Sequence, residues 1–112
     1  VLAFLDIGPI SGGHTLVIPK RHCGKLHECD PNVLSAVAAR LGRIAGAVAA
    51  AMGADAYNVL VNNGSAAGQV VNHLHFHIIP RQAGDRVLSG WPSYKYPKGR
   101  IEEIAAMIRA NL

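Results

Sequence analysis

The sequence predicts an α+β domain in which helices pack on one face of an antiparallel sheet. Two observations carry that expectation. Strand-like and helix-like segments follow in the order β-β-α-β-β-α, with short loops between consecutive strands. In addition, 50% of the 112 residues are hydrophobic and only 16% are charged, which suits a single core and argues against disorder.

Val1 to Leu5 is an apolar strand, and Asp6 to Gly13 is a loop rich in turn residues. His14 to Ile18 forms a second strand that Pro19 stops, so the two pair as a hairpin with a long connection. Lys20 to Cys29 is polar and irregular. Asp30-Pro31 opens a helix, with an N-cap aspartate and a proline where no N–H is needed. Leu34, Val37, Ala38, Leu41, Ile44, Ala45 and Val48 recur at helical spacing, and Gly53 closes the helix. Tyr57 to Asn62 is a strand, and Asn63 to Gly68 is a loop of small residues. The fourth strand runs from His73 to Ile79 and ends at Pro80. After a loop containing Trp91-Pro92, a last helix spans Arg100 to Asn111, with Ile101, Ile104, Ala105, Ile108 and Leu112 as its expected buried stripe.

No repeat, low-complexity tract or second domain interrupts residues 1–112. The chain opens on an apolar strand without methionine, so residues ahead of Val1 are expected. No secretory leader is read there. The apolar stretch from Val33 to Met52 is broken by Ser35, Arg40, Gly42 and Arg43, short of the roughly 18 uninterrupted residues of a membrane span. No membrane partner is expected. A net charge of +4 suits an anionic small molecule at least as well as nucleic acid. The basic residues Lys20, Arg21, Lys25, Lys95, Lys98 and Arg100 lack an aromatic stacking row, which reads as solvated loops and no nucleic-acid partner. Cys23 and Cys29 are the only cysteines and form no C-x-x-C pair, so a reducing cytoplasm is the expected location. The cluster His22-Cys23…His27…Cys29 has the spacing of no usual zinc finger and reads as a loop.

The chemistry concentrates in the fourth strand. His73, His75 and His77 alternate with Leu74, Phe76 and Ile78, and strand geometry sends the two sets to opposite faces. Imidazole, with an ordinary pKa of about 6.5, suits nucleophilic and acid–base work near neutral pH. Three uses are open. One is a metal site: His73 and His75 stand about 6.7 Å apart and His73 and His77 about 13 Å apart, so only two could share an ion. Asp6 or His14 would complete it. A second is a polar sheet face without a role. The third is covalent catalysis, in which a neutral imidazole attacks phosphorus and water cleaves the phosphoramidate. There the middle histidine is the nucleophile and a neighbour donates to a phosphate oxygen. Gly64 to Gly68 can bring backbone N–H groups to the phosphate, and Asn62 and Gln69 supply amides.

The run His73 to Ile79 resembles the His-φ-His-φ-His-φ-φ signature of the histidine triad (HIT) family, with φ apolar, at every position. Phe4-Leu5-Asp6-Ile7, Gly13 to His22, Asn62-Asn63-Gly64 and Gly68-Gln69 extend the resemblance over most of the chain. It implies a nucleotidyl hydrolase or transferase acting at the α-phosphate of purine nucleotides, without a cofactor or catalytic metal. The chain would work as a homodimer whose sheets join. His75 is then the nucleophile, His77 the phosphate contact and His73 an ordering residue. The resemblance also implies Asp6 on the ribose hydroxyls, Phe4 and Ile7 in the base pocket, and His14 behind the triad. Asn62, Gly68, Gln69 and the backbone of Val70 line the phosphate. Trp91 either reaches the partner's site or simply packs.

Three departures qualify the resemblance. Val70 replaces a frequent Ser or Thr, so a hydroxyl is lost. An upstream strand or hairpin is absent. An upstream Cys pair, which joins a histidine at the position of His22 around structural zinc in some relatives, is also absent, so no zinc is expected. Phosphoramidate or adenylate hydrolysis, as in the Hint branch, fits Asp6. Dinucleoside polyphosphate cleavage, as in the Fhit-like branch, fits Pro80-Arg81 with Gly84-Asp85. A nucleotide-binding protein of weak activity fits Val70.

Overall fold

The computed structural model describes residues 1–112. Strands β1 (Leu2–Leu5), β2 (Thr15–Ile18), β3 (Ala56–Val61) and β4 (Phe76–Arg81) form one antiparallel sheet in the order β1-β2-β4-β3. Helix α1 (Pro31–Ala51) lies between β2 and β3 in sequence, and α2 (Arg100–Ala110) follows β4.

Register divides the sheet into two faces, because directly paired residues of an antiparallel sheet share a side. Thr15 and Val59 flank Ile78, and Val17 and Val61 flank Phe76. This face meets α1: Val17, Ile78, Val37 and Ala45 form the main buried cluster. Leu74 and Ile78 are fully buried, as the alternation requires. On the other face, Phe4 pairs with Leu16, Leu16 with His77, and His77 with Leu60.

Local signals set the ends of α1. Asp30 Oδ1 accepts from Asn32 N at 2.7 Å, and Pro31 occupies the first turn. At the other end, Gly53 adopts φ +60°, and its N–H donates to Ala50 O while Ala54 N donates to Ala49 O. That pair of bonds satisfies the last carbonyls in a left-handed cap. By length and composition alone α1 also meets what a membrane span needs, with a mean hydropathy of 1.5. Val37 and Ala45 nevertheless seat it on the sheet, although much of its apolar surface is left uncovered by this chain.

Three expectations need correction. The histidine strand begins at Phe76, not His73, because Leu74 N donates to Cys23 O in a loop at 2.7 Å rather than to a strand. It also continues through Pro80 to Arg81. β2 pairing stops at Ile78, so a proline without an N–H is tolerated beyond it. Finally, α2 has no buried residue, and Ile101, Ile108 and Leu112 are exposed. The sheet face is already covered by α1, and residues 82–99 carry α2 away from it. The Cα radius of gyration, 16.5 Å, exceeds the roughly 13 Å of a compact chain of this length.

Candidate active site

The hydrogen bonds of the histidines assign each ring a tautomer. Ile10 N donates to His14 Nδ1 at 3.3 Å, so the proton of neutral His14 sits on Nε2. His14 Nε2 lies 2.8 Å from His77 Nδ1 and donates to it. His77 must then carry its own proton on Nε2, and that atom is buried without a partner. Burial lowers the pKa of both rings; at His77 the nearby His75 and His14 lower it further, while Asp6 opposes the shift in both. Both are therefore neutral at pH 7, consistent with the relay of donors.

His75 is fixed the opposite way. Its Nδ1 lies 2.7 Å from the His73 carbonyl, which can only accept, so Nδ1 bears a proton and in the neutral ring the lone pair falls on Nε2. The rings of His75 and His77 stand edge to face with centroids 5.0 Å apart. One nitrogen lone pair and one N–H donor thus belong to adjacent rings. His73 is anchored at both nitrogens: Nε2 donates to Pro19 O at 2.9 Å, and Nδ1 lies 3.2 Å from His22 Nδ1, which donates to it. His22 supports the triad, a role not read from the sequence, because its partner is 51 residues away.

A cavity of about 330 Å³ opens beside these rings, lined by Phe4, Leu16, Ile18, Val71, His73 and His75. Phe4, which the family resemblance assigns to the base pocket, is among its lining residues. Ile7 does not line it and is fully exposed, since the chain leaves the sheet after Leu5. Leu16 and Ile18 were missed as lining residues, yet the period-2 alternation of β2 with His77 opposite Leu16 signals them.

The loop before the triad is built by its own bonds. Gly64 and Gly68 take φ +91° and +94°, conformations that favour glycine. Gln69 Oε1 accepts from Gly64 N at 2.8 Å, and Gln69 Nε2 donates to Gly24 O at 2.7 Å. The Gln69 amide therefore braces the loop at both ends rather than standing free for phosphate. The Val70 N–H makes no hydrogen bond within the chain, and the Val70 side chain is exposed. Asn62 lies against Gly68, where a Cβ would stand 3.5 Å from Asn62 Nδ2. Trp91 is 94% exposed and touches none of this.

Asp6 Oδ1 accepts from Gly8 N at 2.8 Å, and Oδ2 lies 3.8 Å from His14 Nε2. Asp6, His14 and His77 are the residues whose ligand atoms could gather on a cation, all within 4.8 Å of one another. A metal there would have to displace the bond between His14 and His77. No such group forms around His73 and His75. Cys23 and Cys29, expected as thiols, are joined in a disulfide.

Comparison with known proteins identifies the family and the fold. The HIT domain family model matches residues 1–84. The chain is 43% identical over 112 residues to an adenosine 5'-monophosphoramidase of Schizosaccharomyces pombe, covering 99% of this chain and 81% of that protein. It is 49% identical over 84 residues to an adenylylsulfatase of Arabidopsis thaliana, covering 75% of this chain but only 43% of the plant protein. Among solved structures, a HIT family protein of Bacillus anthracis superposes with a TM-score of 0.87 at 36% identity, over 98% of this chain and 80% of that one.

Proposed function

The chain belongs to the HIT domain family, and from that membership we propose that it hydrolyses nucleoside 5'-phosphoramidates and related adenylates through a nucleotidyl-His75 intermediate. One observation carries this: the His73 carbonyl fixes the neutral His75 tautomer whose lone pair lies on Nε2, beside the buried, unpartnered Nε2–H of His77. The lone pair attacks the α-phosphorus, and the bond to the leaving group breaks with its electron pair. A leaving amine takes a proton from solvent. Positive charge arising on the His75 ring is stabilised through Nδ1–H by the His73 carbonyl. His77 Nε2–H and Val70 N–H donate to the phosphoryl oxygens as charge builds on them. Water then attacks phosphorus and the P–N bond to His75 breaks, restoring the imidazole. The apolar cavity with Phe4, Leu16 and Ile18 accepts the purine, and Asp6 the ribose.

The relatives named as a phosphoramidase and an adenylylsulfatase support this substrate class. Incubation with an adenylate labelled at the α-phosphate tests it. Label should be trapped on His75, and His75→Ala should abolish both trapping and turnover. Turnover that survives this substitution overturns the assignment. Comparing adenosine phosphoramidate with a dinucleoside tetraphosphate separates the two substrate branches. The Asp6–His14–His77 group favours a second, metal-dependent reading. Loss of turnover in EDTA, restored by zinc, would select it.

We also propose a homodimer with a sheet continued through β3. β3 is an edge strand whose Tyr57 and Val59 are 44% and 40% exposed, an apolar edge of the kind that proteins cover by pairing. Sedimentation giving a single-chain mass at micromolar concentration would rule this out.

A further inference from the structure

We propose that Cys23 and Cys29 are a reversible thiol–disulfide site that positions the phosphate-side loop, so that reduction weakens nucleotide binding. The effect on binding rests on the nucleotide-site assignment above; the switch itself does not.

The two cysteines have Cα atoms 5.3 Å apart, within the span of a disulfide, and are six residues apart in sequence. Both are largely buried against fully buried Leu74, with Leu34, Val61 and Phe76 around them. Cys29 directly precedes Asp30, the cap of α1, so the bond ties a surface loop to the helix seated on the sheet. The tied loop reaches the site through four groups. Cys23 O accepts from Leu74 N at 2.7 Å, and Gly24 O accepts from Gln69 Nε2 at 2.7 Å. Leu26 N donates to Asn63 Oδ1 at 2.7 Å, and His22 Nδ1, just ahead of the bond, meets His73 Nδ1.

The fit is close. A Cβ on Gly24 would stand 2.5 Å from Asn72 Oδ1, so the loop backbone lies against the residue before the triad. Between the cysteines, only Glu28 N to Lys25 O and Cys29 N to Leu26 O hold the turn internally. Without the sulfur bridge, those two bonds must hold a turn that in turn holds Gln69, Leu74 and Asn63.

Reduction by a low-mass thiol such as glutathione balances as thiol–disulfide exchange. One thiolate attacks a cysteine sulfur and expels the other cysteine as thiolate. A second thiolate attacks the mixed disulfide, releasing glutathione disulfide and, after protonation, two cysteine thiols. Oxidation is the reverse. With the cysteines 9% and 8% exposed, exchange proceeds through local opening of the loop.

The test equilibrates the whole protein in glutathione buffers of stepped ratio. Free thiols are counted by alkylation and mass, AMP binding is measured by calorimetry, and exchange of the Leu74 amide by NMR. Expected are interconversion in one two-electron step, AMP binding about tenfold weaker in the dithiol form, and faster Leu74 exchange. The double variant Cys23→Ser with Cys29→Ser should bind like the dithiol form and ignore the buffer. Equal binding and equal exchange in the two states would overturn the switch, as would a pair that never interconverts. Should AMP bind neither form, the nucleotide assignment fails, and Leu74 exchange alone decides the switch. The wild-type dithiol form keeps the test decisive even if the double variant does not fold.

Discussion

Residues 1–81 and residues 82–112 are built to different standards. In the first region the sheet buries Val17, Leu74, Ile78 and Ile79 to within 1% exposure, and each triad histidine has at least one ring nitrogen in a named bond. The second region begins well: Arg81 pairs with Asp85 through two bonds of 3.0 and 2.9 Å, and Asp85 also accepts from Gln82 N and Val87 N. These bonds hold the Asp85 carboxyl far below its ordinary pKa. Beyond that turn, Arg86 and Leu88 take left-handed φ of 59° and 48°, which costs on the order of 1 kcal/mol each. No buried residue follows to offset it: Trp91, Tyr94, Ile101 and Ile108 are all exposed. The family model also ends at residue 84. The difference teaches that the histidine cluster is bonded and packed within one chain, whereas the apolar groups of the C-terminal arm are left exposed by it.

The largest effects should fall on the triad. His75→Ala is expected to lower kcat by about a thousandfold or more, since the proposed covalent route would be removed. His77→Ala, which removes one donor from the developing charge, should lower it by about a hundredfold. His75→Ala should leave the melting temperature nearly unchanged, whereas His77→Ala also removes the acceptor of buried His14 Nε2–H and should lower it by a few degrees. Steady-state kinetics with adenosine phosphoramidate, alongside thermal melts, checks this. A catalytic loss at Trp91→Ala as large as at His77 would break the comparison by placing the arm in the site.

Next in size are the packed sheet positions. Ile78→Ala removes a fully buried side chain between α1 and the sheet and should cost about 2–5 kcal/mol in urea unfolding. Converting Cys23 and Cys29 to serine should cost about 2 kcal/mol, from the released loop entropy. A value near zero for the pair would mean the loop holds its shape without the bridge.

The pH response is smaller and has a definite sign. His14 and His77 have folded pKa values below the ordinary 6.5, so the unfolded chain takes up more protons. Their contribution is fully present above about pH 6.5 and is lost as pH falls through the folded values. Melting temperature should fall between pH 7 and 5, and His14→Gln should flatten that slope. An unchanged slope would mean these rings are not the buried neutral pair described.

Much of the first region was legible because local rules set it. Asp30-Pro31 and Gly53 bound α1, and the alternation from His73 to Ile78 separates the histidines from the core. What the sequence concealed depends on long-range partners. Leu74 leaves the ladder for Cys23, Gln69 turns its amide to Gly24, and His22 pairs with His73 across 51 residues. Ile7 has the composition of a pocket residue but lies past the strand that would aim it. Helical spacing correctly marked α2, but periodicity states only that a helix has an apolar face, not what lies against it.

That last point yields the smallest expected effect and the sharpest test of the contrast. Ile108 is 58% exposed on α2, and nothing in this chain buries it. In dilute, monomeric protein, Ile108→Ala should change unfolding free energy by no more than about 0.5 kcal/mol, the usual range for a surface position. If the arm docks on a second copy, the cost should grow with protein concentration, because association stabilises only the folded, assembled state. Unfolding series at two concentrations a hundredfold apart separate the cases. A concentration-independent loss of about 2 kcal/mol would show that α2 packs on its own sheet in solution, and the two regions would then be one core.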